Sequence, residues 1–158
     1  MDDYEAIRQL TARYNRASDE GDRAAWLDCF TPTGSFRRSN DTRSFTGQRE
    51  LPELAGRVPV SARHVTTDFI IDLDGDTARQ TCYLIFYDRH HDFRIAMFGT
   101  YHDELVKAGG QWRFESRLLD VDLGPSEVTP EQAGEPWSAH FQGGGQPGAA
   151  GQDGGTTA

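Results

Sequence analysis

Period-two alternation governs this chain from Arg63 to Leu123. Arg63 to Leu73, Thr77 to Arg89, Phe93 to Lys107 and Trp112 to Leu123 read as four long strands, rich in β-branched and aromatic residues. Asp74-Gly75 and Ala108-Gly109-Gly110-Gln111 punctuate them, and glycine accepts the positive φ that tight hairpin turns require. Strands joined by hairpins run antiparallel, so a parallel sheet is excluded for this half. The first half follows a different period. Tyr4, Ile7, Leu10, Tyr14 and Ala17 recur at three- and four-residue steps and mark one apolar helix face, with Gly21 as its stop. Asp22 caps a second short helix carrying Ala25, Trp26, Cys29 and Phe30, ended by Pro32. Thr33 to Ser39 reads as a short strand, and Leu51 to Arg57 as a third helix with Pro52 in its first turn. Helices first and hairpin-linked strands after predict an α+β fold, with N-terminal helices packed on a curved, mostly antiparallel sheet.

Only 36% of the 158 residues are apolar and the mean hydropathy is −0.67, both low for a packed domain. The dilution has a local source. Gln142 to Ala158 carries seven glycines and no large apolar side chain, and reads as an unstructured tail. Residues 1–124 then form one domain, and 125–141 is either a docked extension, through Trp137 and Phe141, or a lead into the tail. A formal charge of −9 repels phosphate backbones and anionic membranes, which argues against both as partners. No apolar run reaches membrane-spanning length, and the acidic start MDDYEAIRQL is unlike a signal peptide. Cys29 and Cys82 lie in apolar segments without C-x-x-C spacing, which suits reduced thiols in a cytoplasmic protein.

A curved sheet with helices across its open side encloses a cone, a natural small-molecule pocket. Strand parity decides which side chains line it. If His64 faces inward, Thr66, Asp68 and Ile70 follow, and Val65, Thr67, Phe69 and Ile71 face away. On the next-but-one strand the choice is Met97, Gly99, Tyr101 and Asp103 against Phe98, Thr100 and His102. Both faces carry apolar residues, so parity stays open here. P-loops, dinucleotide glycine motifs and nucleophile elbows are absent, and no cofactor is implied. His90-His91-Asp92 and His102-Asp103 place neighbouring side chains on opposite faces of a strand, so neither is taken as a metal site.

The segments from Ile7 to Phe36, Ala62 to Ala78 and Gly99 to Arg117, with Gly47 opening the third helix, resemble the SnoaL-like branch of the NTF2-like superfamily. The resemblance covers residues 4 to 123 and implies a cone-shaped α+β barrel. Within it, the pattern is similar to that of scytalone dehydratase and bile acid dehydratase: a Tyr near the end of the first helix, an Asp beyond it, and a His early in the first long strand. Tyr14, Asp19 and His64 stand at those places. The second catalytic His of scytalone dehydratase falls near Tyr87, so a two-histidine mechanism is not carried over. Phe69 to Ile71 and Tyr83 to Phe86 are apolar in both parities, so the outer sheet face wants cover, and with the sheet pairing common in the superfamily this predicts a homodimer. The candidate pocket lining is Trp26, Phe36, Tyr87, Met97, Tyr101 and Arg117. Arg117 either reaches this pocket or pairs with surface carboxylates.

The residues support that reading on their own chemistry. Asp19 lies five residues after Tyr14, about 140° round an ideal helix. The two converge only if the helix ends near Ser18 and the chain turns at Gly21. A carboxylate beside an imidazole sets its tautomer and raises its basicity. A phenol donates to a carbonyl oxygen that becomes an enolate. Together they suit a cofactor-free lyase or isomerase, of dehydratase or cyclase type, acting on a hydroxylated carbonyl compound, with natural-product tailoring as the setting the resemblance implies. The competing class is a non-catalytic ligand-binding module or a scaffold like a dioxygenase small subunit. The two classes differ in one observable, namely whether the side chains of Asp19 and His64 meet.

Overall fold

The structure is a computed structural model that describes residues 2–55, 62–90 and 92–123. Arg57, His91, the 125–141 extension and the 142–158 tail lie outside the described residues. The elements run α1 (Asp3–Glu20), α2 (Arg23–Asp28), β1 (Phe30–Arg38), β2 (Ser44–Thr46), α3 (Gly47–Ala55), β3 (Ala62–Asp74), β4 (Thr77–Asp88), β5 (Arg94–Ala108) and β6 (Gln111–Leu123). One six-stranded sheet has the order β2-β1-β6-β5-β4-β3. Every pairing is antiparallel except β1 with β6, as the α+β reading expects.

Helix α1 begins where Asp2 accepts the Glu5 N–H at 2.8 Å. It ends where Gly21 adopts a left-handed φ of 71° and Asp22 N–H donates to the Ala17 carbonyl at 2.9 Å. The stop at Gly21 is as expected, but the helix does not break near Ser18. Asp19 therefore remains in the last helical turn. It is buried because α1 presents a broad face to the sheet, with Thr11, Asn15, Ser18 and Asp19 buried beside the apolar stripe. In the second helix Asp22 caps as expected, accepting the Ala25 N–H at 3.0 Å. Phe30 belongs to β1 rather than to that helix, and β1 starts earlier than Thr33 because it pairs in parallel with the central β6. Helix α3 starts at Gly47, so Pro52 lies inside it rather than in its first turn.

The register of the strands arranges the concave face in rows of opposed residues. His64, Phe86 and Met97 form one row. Cys82, Tyr101, Leu119 and Arg38 form another, and Gln80, Asp103, Arg117 and Phe36 the next. Met97, Tyr101 and Asp103 thus take the inward parity on β5. On β3 the simple alternation fails. A bulge at Asp68, whose φ is +54°, shifts the register between Thr67 and Ile70. His64 and Thr66 face inward, but beyond the bulge Phe69, Ile71 and Leu73 pack against the core while Ile70 is 66% exposed. The expectation for Asp68 and Ile70 is therefore reversed by one inserted residue.

Curvature is needed to bring these rows around α1. A second irregularity, between Phe98 and Gly99, supplies part of it. A β-carbon at Gly99 would lie 2.3 Å from the Asp120 carbonyl oxygen, so only glycine lets the strands approach there. The enclosed core holds Ile7, Leu10, Trp26, Phe30, Leu105 and Phe114, each 4% exposed or less. Side chains of this size contribute about 1.5–3 kcal/mol each on full burial.

Candidate active site

Thr11, Asn15 and Asp19 stand one helical turn apart on α1 and form a polar stripe at the border of its apolar face. Each is pinned to the sheet. Gln80 Nε2 donates to Thr11 Oγ1 at 3.0 Å, and Asn15 Nδ2 donates to Thr66 Oγ1 at 2.9 Å. Asp19 receives His64 twice. Its carboxylate accepts the His64 backbone N–H at 3.1 and 3.2 Å, and His64 Nδ1 lies 2.6 Å from Oδ1. A carboxylate can only accept, so Nδ1 carries the proton, which in the neutral imidazole leaves the lone pair on Nε2. Arg63 Nη1 stands 3.4 Å from Asp19 Oδ2. The side chains of Asp19 and His64 are 2% and 6% exposed, which limits competition from water for the bond between them. Phe86 meets the imidazole edge-on at 4.5 Å and holds the ring plane. Among the described residues no side chain hydrogen-bonds Nε2.

Further along the cone the chemistry differs. Arg117 donates to Asp103 through Nε at 2.7 Å and Nη2 at 2.8 Å, a bidentate pair with both side chains fully buried. Gln80 Nε2 also donates to Asp103, at 2.7 Å. The guanidinium carbon lies 3.9 to 4.3 Å from the ring centres of Phe114, Tyr101 and Tyr14. Burial opposes the charge on Arg117, but the Asp103 carboxylate and its hydrogen bonds outweigh burial and hold the group protonated. Arg117 thus faces the interior and pairs with an inward carboxylate, not with surface acids.

Tyr14 belongs to this second cluster. Its ring packs on Trp26, Phe30, Tyr101 and Phe114 at 5.4 to 6.1 Å. Burial pushes its phenol up, and the nearby Arg117, Tyr101 and Trp26 offset that only in part. The phenol therefore keeps its proton near neutral pH and is a donor. Asp19 and His64 are brought into contact, whereas Tyr14 makes its ring contacts with the aromatic cluster, about 7.5 Å along the helix axis from Asp19. Convergence of Tyr14 and Asp19 by an early helix stop does not occur.

Of the other pocket candidates, Trp26, Phe36, Met97 and Tyr101 are buried, and Phe36, Met97 and Tyr101 sit in the concave rows. Tyr87 does not. It alternates with buried Phe86 and Asp88 and pairs with the exposed Ile95, so it lies on the outer face. Sequence reasoning missed Gln80, Thr11 and Arg38, and named Asp103 only in an open parity choice and in a rejected metal pair. A usable signal was the inward parity of Gln80, Asp103 and Arg117, which puts three polar residues in one row. Among the described residues no group of three His, Cys, Asp or Glu side chains is placed to hold a metal ion. A cleft of about 620 Å³ lined by Leu27, Phe30, Gln48 and Leu51 lies apart from the Asp19–His64 pair and contains neither of them. Among the described residues no helix is long and apolar enough to cross a membrane.

Residues 1–118 match the family model of the SnoaL-like domain. No curated protein matches the chain. Among solved structures, a single-site variant of Rv3472, a Mycobacterium tuberculosis protein of unknown function, is 30% identical with a TM-score of 0.72. That match covers 86% of this chain and 82% of the other. A candidate scytalone dehydratase from Novosphingobium aromaticivorans is 20% identical with a TM-score of 0.68, over 76% of this chain and 84% of that one. ActVI-ORFA from Streptomyces coelicolor is 19% identical with a TM-score of 0.68, over 75% of this chain and 96% of that one. The last two likenesses carry the fold alone.

Proposed function

Because the chain belongs to the SnoaL-like domain family, whose fold serves both enzymes and scaffolds, we propose that it is a cofactor-free lyase or isomerase, of dehydratase or cyclase type. In this reading it acts on a hydroxylated carbonyl compound and His64 is the general base. The observation that carries the reading is the 2.6 Å contact between His64 Nδ1 and a buried carboxylate that also accepts the His64 backbone N–H. A binding module has no need of an imidazole held in one tautomer.

The steps balance. Nε2 takes the proton α to the carbonyl, and the C–H electron pair moves toward oxygen to give an enolate. Asp19 stabilises the imidazolium that forms. Tyr14, still protonated, is the proposed donor to the enolate oxygen, which requires an extended enolate reaching from the His64 ring to the aromatic cluster where Tyr14 sits. In a dehydration, the enolate collapses and expels the β-hydroxyl, which leaves as water with the proton that Nε2 had taken. Isomerisation returns that proton to a different carbon, so one base serves either outcome.

The test is turnover of a panel of aryl β-hydroxy ketones, followed by absorbance of the conjugated product. Wild-type protein turns over at least one member. His64→Gln keeps the fold and lowers that rate by about 10²- to 10⁴-fold, the worth of a positioned base. Full activity in this variant excludes the mechanism.

We also propose that two copies pair through the outer sheet face. Val65, Ile70, Tyr83 and Ile95 are 42 to 66% exposed there, an apolar surface that water does not favour. Sedimentation at micromolar concentration gives a dimer on this account, and a monomer contradicts it.

A further inference from the structure

Three buried side-chain N–H donors in the cone, Trp26 Nε1, Arg38 Nε and Arg117 Nη1, make no well-formed hydrogen bond among the described residues; Trp26 and Arg117 have the Tyr14 phenol beside them as a weak acceptor, and Arg38 Nε has none. A buried donor without an acceptor is costly, so native structures rarely keep one without a use. Trp26 packs on Tyr14 at 5.4 Å, and the Arg117 guanidinium lies 4.3 Å from Tyr14 and 4.0 Å from Tyr101. Arg38 shares a strand row with Leu119 and Tyr101 and an inward parity with Phe36.

The charges around these donors do not cancel. Arg117 is neutralised by Asp103. Arg38 has no ion pair among the described residues, and the acid that acts on it, Asp41, is already held by Arg43 at 3.2 Å. Burial pulls Arg38 below the usual arginine value, while Tyr101, Tyr14 and Asp41 hold it up, so it keeps its charge. Arg38 is only half-buried, so a ligand can reach it while its Nε stays shielded.

We propose that the substrate carries a carboxylate, received by Arg38, with Trp26 Nε1 and Arg117 Nη1 donating along the same wall. One uncompensated positive charge matches a monoanion, and a planar guanidinium matches the two oxygens of a carboxylate. The surrounding Tyr14, Tyr101, Phe36 and Trp26 rings suit an aromatic or unsaturated body attached to it. This deepens the preceding reading by naming a substrate class. It is tested by equilibrium binding, so its failure and that of the proton-transfer mechanism are read separately.

The probes are naphthoate, its uncharged amide and naphthyl phosphate, titrated calorimetrically against the full chain. Wild-type protein binds naphthoate about tenfold or more tighter than the amide, the effect of a charge-assisted hydrogen bond out of bulk water. Arg38→Met removes that preference without weakening the amide, and Arg38→Lys restores part of it. Circular dichroism confirms that both variants are folded, and an unfolded Met variant leaves the comparison to Lys against wild type. Equal affinity for acid and amide, a preference that survives Arg38→Met, or no binding of naphthoate overturns the proposal. Tighter binding of the phosphate overturns the assignment to a carboxylate.

Discussion

The rows holding His64 and Asp103 lie six residues apart along β4, at Phe86 and Gln80, or roughly 20 Å. Each contains a buried carboxylate bonded to a basic side chain. At Asp103 the carboxylate is fully engaged: Arg117 gives two bonds and Gln80 a third, three rings cover the guanidinium, and what is left over is one N–H donor, Arg117 Nη1, and no basic atom. At Asp19 the carboxylate is equally buried and well bonded, but the imidazole it holds keeps one nitrogen uncommitted among the described residues. A pair with no basic nitrogen left over stabilises and specifies a core. A pair that leaves one basic atom over is equipped to move a proton. Burial alone does not separate the two, but the valence left over does.

The comparison breaks most visibly if the same substitution is made in both pairs. Asp103→Asn leaves the buried Arg117 charge without its counterion and is expected to cost about 3–5 kcal/mol of stability, read by urea denaturation. A loss under about 1 kcal/mol would mean that water reaches Arg117. Asp19→Asn, nearly isosteric, costs less stability, but it favours the wrong imidazole tautomer and is expected to lower turnover by about 10²-fold or more. Steady-state kinetics of the folded variant decide this, and an unchanged rate would make Asp19 a helix-end pin and nothing more. Tyr14→Phe is the smallest of the three, with a fall of about tenfold in turnover, because water can replace one hydrogen bond to the enolate. A fall larger than that of Asp19→Asn would move the centre of the chemistry toward the aromatic cluster.

Much of the scaffold was legible because it rests on local rules. The α1 stripe, the Gly21 stop, the Asp22 cap and the Asp74-Gly75 hairpin each follow from a few neighbouring residues. The meeting of Asp19 with His64 was legible only through the family pattern, since 45 residues separate them in the chain. What stayed hidden depends on register. One residue at the Asp68 bulge reverses the facing of the rest of β3, and nothing in an Asp-Phe step announces a bulge. The Asp103–Arg117 pair depends on β5 and β6 meeting in one register, and a shift at Glu104/Leu105 lies beside it. Tyr87 was misplaced for a related reason: alignment of hairpins gives a position along a strand but not a face.

The central claim is that His64 removes a proton from carbon. It is tested most directly by solvent exchange at the α-carbon, which needs no knowledge of the natural product. The aldol of benzaldehyde and acetone, a simple β-hydroxy ketone, is incubated with the protein in deuterated water and followed by proton NMR. The account predicts loss of the α-proton signal with wild-type protein, faster than in buffer, and a rate lower by about 10²-fold or more with His64→Gln. Exchange at equal rates in wild type, variant and buffer would contradict it and leave the Asp19–His64 bond a structural pin.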